Sequence, residues 1–458
     1  MSTITLLYMK SLSIIVLLFM SAHSFSQPFT SQQVTEDLAY LIESIKTYNP
    51  GLNRYNPDFD VEAKQILNTV DGECDVFTYF QLVSAIVTAS NEGHYHVGSW
   101  DDVVLKGFLD NVYTYLPLSI KILDGNLYVW YDLSEENALS RGDEIVSING
   151  KSAEEILNLL KRYVHADGSI NTYFEKQAES GFAWMYYMYI EQSESFTIRI
   201  RRYSDGSESE VKLAPLTVKK RNENLVTRYP EKANTSNQTS LDDLYTFTQE
   251  DDYALLTLKS FDYRLVDEFK VEADKLYEDI FTELKKRQTQ NLIVDLRGNT
   301  GGRNELADEM IPFILKSRTD AFMKKSVSWH GREKTYGFPR KSDLAFEGRI
   351  YCLVDGKTYS AGATLARYLK EYGEAIFIGE ETGSRYEGYV AGSAEAVNLP
   401  NSNIRISIPR YLTYYPTSSI QTTSNRGLMP DYTVKPTLHD VIEEKDVVMQ
   451  KALVLIKG

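Results

Sequence analysis

The chain has 458 residues, 43% of them hydrophobic, which is enough apolar material for about two to four globular domains. Its formal net charge of −15 argues against nucleic acid or an anionic membrane surface as a main partner. The two cysteines, Cys74 and Cys352, are too few for a disulfide scaffold or a zinc–thiolate site, and Cys352 lies in an apolar strand-like run that suits a buried free thiol.

The first 26 residues have the pattern of a secretory signal peptide. Lys10 supplies a positive charge, an apolar run covers 11–20, and small residues at Ser24 and Ser26 precede a cleavage point before Gln27. The alternative is an uncleaved membrane anchor, but the apolar run is short for a span. The sequence therefore predicts an exported protein, periplasmic or secreted, that is not stably inserted in a membrane after cleavage.

Residues 27–104 are predicted to form an N-terminal helical region. The stretch TSQQVTEDLAYLIESIKTY begins with cap-like residues and repeats apolar side chains at helical spacing. Two more helices are predicted over 61–70 and 76–90. The next segment, NEGHYHVGSW, places His94 and His96 on a short extended stretch.

Residues 105–216 are predicted to form a compact β-rich module with one helix. Hairpins are indicated at Asp124-Gly125 and at Asp205-Gly206, where turn residues separate runs of β-forming residues. A tyrosine-rich insert, YFEKQAESGFAWMYYMYI, is interpreted as apolar packing between domains. The polar stretch 217–242 is predicted to be a linker or exposed loop.

Residues 243–458 alternate strand-like and helix-like runs, which predicts an α/β core with a mostly parallel sheet. The predicted strands include DYALLTLKSF and NLIVDL. Helices are predicted over 266–285 and 305–315, and a strand–turn–helix–strand unit surrounds Ser360.

Ser360 lies at the junction of a strand-like run and a helix-like run. A serine here is favoured as a helix N-cap, because its oxygen satisfies a free backbone N–H group. The same position suits a nucleophile, since free N–H groups and the positive end of the helix dipole lie nearby. The glycine turn RGNTGG follows another predicted strand, and an N–H of Gly301 or Gly302 with that of Ala361 would form an oxyanion hole. The alternative for the glycine turn is a tight βα connection without a catalytic role.

A serine nucleophile needs a base, and His94 and His96 are the candidates that follow the helical region. A His-x-His pair on a strand also suits a metal, but no third ligand follows at ligand spacing. No metal and no cofactor are therefore predicted, and no nucleotide-phosphate motif is present.

Three segments resemble, in order and spacing, the C-terminal processing (tail-specific) protease family of serine peptidases: NLIVDLRGNTGG, YCLVDGKTYSAGATLARYLKEYGEAIFIGEETG and GLMPDYTVKP. ALSRGDEIVSINGKS is similar to the PDZ domain that these enzymes carry, and NEGHYHV resembles their short Asp-Gly-His-Thr-type motif. The resemblance covers about residues 85–436 and implies a crotonase/ClpP-like spiral β/α core. It also implies a nucleophile at Ser360, oxyanion N–H groups at Ala361 and the Gly301–Gly302 pair, and cleavage of unfolded or C-terminally exposed polypeptides.

The chain departs from the Ser–Lys branch of that family. The lysine expected 25 residues after the serine is Arg385, whose guanidinium stays protonated and cannot act as a base. His94 matches the histidine of a second branch, which resembles the tricorn core protease and the interphotoreceptor retinoid-binding protein. That branch also uses a glutamate before GLMPD, where this chain has TTSNRG and no acid. Glu380, Glu381 and Glu387 are open alternatives. Arg385 is interpreted either as a structural residue or as a ligand for a substrate carboxylate.

The sequence thus predicts an exported serine endopeptidase that acts on proteins or peptides. Ser360 would be its nucleophile and His94 its base. Two alternatives stay open. A non-catalytic peptide-binding protein on the same fold would explain the loss of both the lysine and the glutamate, and an esterase-like acyl hydrolase fits the same residues. The PDZ-like module lacks the usual glycines in YLPLSI, so a structural or gating role for it is as plausible as peptide capture.

Overall fold

A computed structural model describes residues 28–98, 113–230, 239–316, 320–416 and 424–458. Three consecutive parts follow one another along the chain: a helical region, a β-rich module, and a larger core with a mainly parallel sheet. The predicted signal peptide lies outside the described residues. None of the helices in the described ranges has the length and apolar character needed to span a bilayer.

The N-terminal region is helical, as predicted. The side chain of Thr30 accepts a hydrogen bond from the backbone of Gln33, and the Gln33 side chain returns one to Thr30, so a capping box starts the first helix. The helices of this region pack their apolar faces into one core with the β-rich module. Their bounds are α1 Ser31–Tyr48, α2 Leu52–Tyr55, α3 Phe59–Leu67 and α4 Val76–Thr88.

An extended segment follows α4 and carries both candidate histidines. It ends in β1, His96–Val97, which pairs antiparallel with a long strand of the core, at Ser407 and Ile406. This pairing ties the N-terminal region to the core and places His94 beside it. His94 lies more than 250 residues before Ser360 in the chain.

The β-rich module is an antiparallel sheet. Asp124 and Gly125 both adopt positive φ, 49° and 76°, as the predicted two-residue hairpin requires. The elements are β2 Thr114–Tyr115, β3 Leu118–Leu123, β4 Asn126–Asp132, β5 Glu144–Ile148, β6 Lys151–Ser152, α5 Ala153–Lys161, α6 Asn171–Tyr189, β7 Phe196–Arg201, β8 Glu208–Leu213 and β9 Leu216–Thr217. The strand order in the sheet is β3–β4–β5–β7–β8.

The tyrosine-rich insert forms helix α6, which packs against both β3 and α4. Glu179 on this helix accepts hydrogen bonds from the Ile122 backbone N–H at 3.2 Å and from Lys121 Nζ at 2.6 Å. The outer edge of β3 is therefore covered by α6, and the helix fills the space between the module and the helical region.

The predicted linker over 217–242 is wrong for its first half, which forms helix α7, Val218–Arg228. The Thr217 side chain caps this helix, and the buried Asn224 side chain donates to the Leu133 carbonyl at 2.8 Å. Because the helix is held by polar contacts, it has no apolar periodicity that the sequence could reveal.

The core contains the predicted parallel sheet. Its strands are β10 Tyr245–Gln249, β11 Ala254–Leu258, β12 Asn291–Asp295, β15 Arg349–Val354, β16 Ile376–Gly379 and β19 Tyr432–Thr433. They lie in the order β10–β11–β12–β15–β16–β19, with β10 antiparallel at one edge. The helices are α8 Tyr263–Glu268, α9 Ala273–Lys286, α10 Glu305–Asp308, α11 Ile311–Ile314, α12 Ala361–Glu371, α13 Leu438–Ile442 and α14 Val447–Lys457.

The single helix predicted over 266–285 is broken into α8 and α9. Lys270 adopts a positive φ of 51° between them, which an α-helix cannot contain. The helix predicted over 305–315 is likewise divided into the two short helices α10 and α11.

A second, antiparallel sheet covers the side of the core where the parallel strands end. It consists of β13 Lys324–Ser328, β14 Glu333–Tyr336, β17 Gly388–Asn398 and β18 Arg405–Tyr414, with β1 added to β18. Among the described strands, β17 pairs only with β18, so the other edge of β17 carries no strand partner.

Candidate active site

The glycine turn after β12 and the Ser360 turn after β15 lie side by side, because these two strands are parallel neighbours. Asn299 joins the two turns. Its backbone carbonyl accepts from Tyr359 N at 2.9 Å, and its buried side chain accepts from Gly301 N at 2.9 Å and donates to the Leu258 carbonyl at 2.8 Å. The two strand ends are thus locked against each other.

Ser360 has an unusual backbone conformation for a residue with a side chain, with φ of 54° and ψ of −124°. Its backbone N–H donates to Ser384 Oγ at 2.8 Å. Its side chain makes no capping hydrogen bond to α12, the helix that it precedes. A strained residue whose hydroxyl is not used by the helix has the features of a nucleophile at a sharp turn, not those of an N-cap.

The Gly301–Gly302 pair is held close to Ser360. A Cβ atom on Gly301, which has φ of 87°, would lie 2.6 Å from Ser360 Cβ and 2.7 Å from Ala361 N. Gly301 N already donates to Asn299. Gly302 N and Ala361 N donate to no acceptor in the described part of the chain. The free N–H groups beside Ser360 are therefore those of Gly302 and Ala361.

Replacing Gly301 with alanine is expected to reduce activity by about 100-fold or more, because the added methyl group must push the Ser360 turn out of place. The matched control is Gly298→Ala, in the same turn. Gly298 also has a positive φ, 76°, but its Cβ would meet nothing within 4 Å. Both variants place alanine at a positive φ, so both should lose some stability, which melting temperatures measure. Only Gly301→Ala should also displace Ser360, which initial rates measure. Equal activity in the two variants would contradict the close packing.

His94 lines the same groove as Ser360, Gly301 and Gly302, and this groove has a volume of about 750 Å³. His94 Nδ1 lies 2.8 Å from the hydroxyl of Tyr359. Its Nε2 atom is buried and has no hydrogen-bond partner among the described residues. Burial lowers the pKa of His94, which keeps the imidazole neutral at pH 7. A neutral imidazole with a free nitrogen is suited to accept a proton.

His96, the second candidate histidine, is exposed on β1 and does not line the groove. No group of three or more His, Cys, Asp or Glu side chains that could hold a metal is found among the described residues. Lys324 does line the groove, but its ammonium group is paired with both oxygens of Asp308, at 2.8 and 2.6 Å. Because its ammonium group is bound to a carboxylate, Lys324 is not available to act as a base.

Arg385 lies outside the groove, in a fully buried ion pair with Glu92 at 3.0 Å. The guanidinium also donates to the Asn91 carbonyl at 2.6 Å and to Asn425 Oδ1 at 2.9 Å, and it stacks on the ring of Tyr55. The substrate-carboxylate role suggested for Arg385 does not fit this position, because Glu92 already occupies the guanidinium. Arg385 instead holds the segment that carries His94.

Replacing Arg385 with glutamine is expected to destabilise the fold by about 3–5 kcal/mol, because Glu92 would stay buried without a counter-charge. The matched control is Arg287→Gln. It breaks an exposed pair with Glu283 on one helix and should cost less than about 0.5 kcal/mol. Denaturant unfolding of the two variants measures the difference. A small, equal loss in both would show that the Arg385–Glu92 pair does not hold the segment.

The three glutamates left open as orienting acids do not contact His94. Glu381 pairs with Arg426 at 2.5 Å, Glu387 accepts from Ser424 Oγ at 3.0 Å, and Glu380 lies 3.9 Å from Lys176. The groups that do surround His94 are Tyr359, Tyr389 and Asp167. Sequence reasoning missed these three residues, because no spacing or motif rule assigns a role to the tyrosine before the serine, to Tyr389 or to Asp167.

The comparison with family models places residues 252–434 in peptidase family S41. This stretch contains β11 and β12, the glycine turn and Ser360. Residues 252–434 are therefore a serine peptidase domain, a hydrolase, of the family of C-terminal processing proteases, as the sequence motifs predicted. A search of curated proteins finds no significant match.

Solved structures show the same fold over nearly the whole chain. Mature CPAF is 15% identical, with a TM-score of 0.63, over 93% of this chain and 98% of that chain. Mature CPAF complexed with lactacystin is also 15% identical, with a TM-score of 0.60, over 93% of this chain and 99% of that one. The photosystem II D1 C-terminal processing protease is 14% identical over 87% of this chain and 93% of that chain, with a TM-score of 0.42. At these identities the likeness to CPAF supports the α/β fold with its helical start and β-rich module.

Proposed function

We propose that the protein is an exported serine endopeptidase that cleaves unfolded or C-terminally exposed polypeptides. The observation that carries the proposal is the placement of Ser360, at a strained turn, in one groove with the free Nε2 of His94. Ser360 would be the nucleophile and His94 the general base. Export rests on the sequence of residues 1–26 alone.

The proposed reaction follows from the groups in the groove. Ser360 Oγ attacks the peptide carbonyl while His94 Nε2 takes the hydroxyl proton. The N–H groups of Gly302 and Ala361 donate to the oxyanion as negative charge develops on it. His94 then gives its proton to the leaving amine, and water, activated by the same imidazole, hydrolyses the acyl-enzyme. This mechanism needs no metal and no cofactor.

The positions of the basic residues favour the histidine-using branch of the family over the Ser–Lys branch. Arg385, at the position of the family's lysine, is buried against Glu92, and Lys324 is ion-paired with Asp308. Neither can take a proton from Ser360 without first losing its partner. The Nε2 atom of His94 has no hydrogen-bond partner among the described residues, so it can accept a proton directly.

The edge of β17 supports an extended substrate. The N–H groups of Gly388 and Val390 donate to Arg385 O at 3.3 Å and Glu92 Oε2 at 3.1 Å, and both acceptors lie away from β18. A β-bulge lies between Ala391 and Ala394, and Gly392 in this bulge lines the groove, so the edge of β17 that pairs with no described strand reaches the site. A polypeptide bound along this edge must be extended, so a folded domain would not fit.

The proposal is tested by incubating purified residues 27–458 with a reduced, unfolded protein and, in parallel, with a small activated ester. Internal cleavage of the unfolded protein is the expected result. Hydrolysis of the ester alone would indicate the esterase-like acyl hydrolase. Binding of peptides with neither reaction would indicate the non-catalytic peptide-binding protein.

A further inference from the structure

The imidazole of His94 is held in a stack of aromatic rings. The ring of Tyr173 lies 4.1 Å from that of Tyr359, Tyr359 lies 4.6 Å from His94, and His94 lies 5.0 Å from Tyr389. The interplanar angles are 6°, 23° and 16°. Stacking fixes the plane of the imidazole but leaves open which of its two nitrogens carries the proton. The hydrogen bond at Nδ1 decides that question.

Tyr359 supplies that hydrogen bond, with its hydroxyl 2.8 Å from Nδ1. Two orientations of the O–H group are available. If the hydroxyl donates to Nδ1, the proton of the neutral imidazole is on Nε2, and Nε2 cannot act as a base. If the hydroxyl oxygen accepts from Nδ1–H, the lone pair of Nε2 is free to take a proton.

A buried carboxylate close by selects between the two orientations. Asp167 is fully buried, and its two oxygens accept from Gly93 N at 2.7 Å and Arg385 N at 3.2 Å. A Cβ on Gly93 would lie 2.4 Å from the Tyr359 hydroxyl oxygen and 3.1 Å from Asp167 Oδ1, so both oxygens border the same small space. Burial and the charge of Asp167 raise the pKa of Tyr359, so its hydroxyl keeps its proton.

The negative charge of Asp167 attracts the positive end of the Tyr359 O–H dipole. The hydroxyl of Tyr173 is a further hydrogen-bond partner of the Tyr359 hydroxyl, besides His94. With the charge of Asp167 nearby, the Tyr359 hydroxyl hydrogen turns away from His94, and an oxygen lone pair turns toward His94 Nδ1. The same charge stabilises the imidazolium that forms when His94 takes a proton, and it raises the pKa of His94 against the larger, opposite effect of burial.

We infer that Tyr359 is the positioning residue of the Ser360–His94 pair, and that the negative charge of Asp167 orients the Tyr359 hydroxyl. Tyr359 accepts the Nδ1–H of His94 and so holds the tautomer in which the Nε2 lone pair is free, on a residue that lines the groove with Ser360. This inference rests on the proposed function, and it fills the place of the orienting acid that the sequence lacks near GLMPD.

The tautomer can be measured without any activity, by ¹⁵N NMR of the protein labelled at histidine. His94→Ala assigns the His94 signals. The inference predicts that neutral His94 carries its proton on Nδ1 in the wild type, and that Tyr359→Phe removes this preference. The matched control is Tyr389→Phe, which removes a hydroxyl from the other ring stacked on His94. That hydroxyl bonds Thr364 at 2.8 Å, so the tautomer should not change. A wild-type His94 protonated on Nε2 overturns the inference, whatever the activity.

The pH dependence of kcat/KM supplies a second readout that a merely structural role would not change. The charged or titratable groups that face His94 are Tyr359, Tyr389, His165, Asp167 and Arg385. Tyr359→Phe removes an acceptor that bonds the imidazolium more strongly than the neutral ring, so the acid limb should move to lower pH. The rate should fall by about 10- to 100-fold. If the acid limb of the Tyr359→Phe profile does not move, or moves to higher pH, the inference is contradicted. Full activity in Ser360→Ala would instead contradict the proposed function and leave the NMR result standing.

Discussion

Replacing Ser360 with alanine is expected to lower kcat/KM for an unfolded protein by about 10⁵-fold, with little change in melting temperature. The hydroxyl is the proposed nucleophile, and its loss leaves only the oxyanion groups and the binding groove. Stability should hold, because the hydroxyl makes no capping hydrogen bond and alanine keeps the Cβ atom at the strained φ of 54°. Initial rates and thermal unfolding of the purified variant measure both quantities.

The matched control is Ser152→Ala. Ser152 does cap a helix, since its side chain accepts from Glu155 N at 3.2 Å in a capping box. Its loss should cost about 1 kcal/mol of stability and leave the rate intact, the reverse of the Ser360 result. If Ser360→Ala behaved like Ser152→Ala, Ser360 would be a helix cap and the proposed nucleophile would be ruled out.

Replacing His94 with alanine is expected to lower kcat/KM by about 10³- to 10⁴-fold, the usual contribution of a general base. The wild-type pH profile should show the same group. Burial lowers the pKa of His94, and only the neutral imidazole can accept a proton, so activity should be full at pH 7. Activity should fall with decreasing pH only below about 6.5, the ordinary pKa of histidine.

His96→Ala is the matched control, since His96 lies two residues away and is exposed on β1. It should keep the wild-type rate and pH profile. An acid limb above pH 6.5, or equal losses in the two histidine variants, would contradict the role proposed for His94.

Local sequence patterns were sufficient to predict the positions of the residues that lie at the two strand ends. The run before Ser360 and the run before Gly301 are apolar strands, and parallel strands bring their ends to one edge of a sheet. The structure accordingly places Ser360, Gly301 and Gly302 in one groove with His94. That His94 arrives from a distant segment could be predicted only from the family resemblance.

The surroundings of His94 could not be predicted, because they depend on contacts between distant parts of the chain. Arg385 pairs with Glu92, 293 residues away, and Asp167 accepts from Arg385 N across 218 residues. No periodicity or spacing encodes such contacts. The polar helix α7 and the break at Lys270 were missed for a related reason, since polar contacts and one residue's φ leave no apolar pattern.

Covalent labelling with a fluorophosphonate, located by mass spectrometry of the digested protein, tests the central claim most directly. Such reagents react with a serine hydroxyl that a neighbouring base activates. We predict one adduct, on Ser360, that forms much more slowly in His94→Ala and at unchanged rate in His96→Ala. An unfolded substrate that is cleaved while Ser360 stays unlabelled, or an adduct on another serine, would contradict the assignment of Ser360 as the nucleophile.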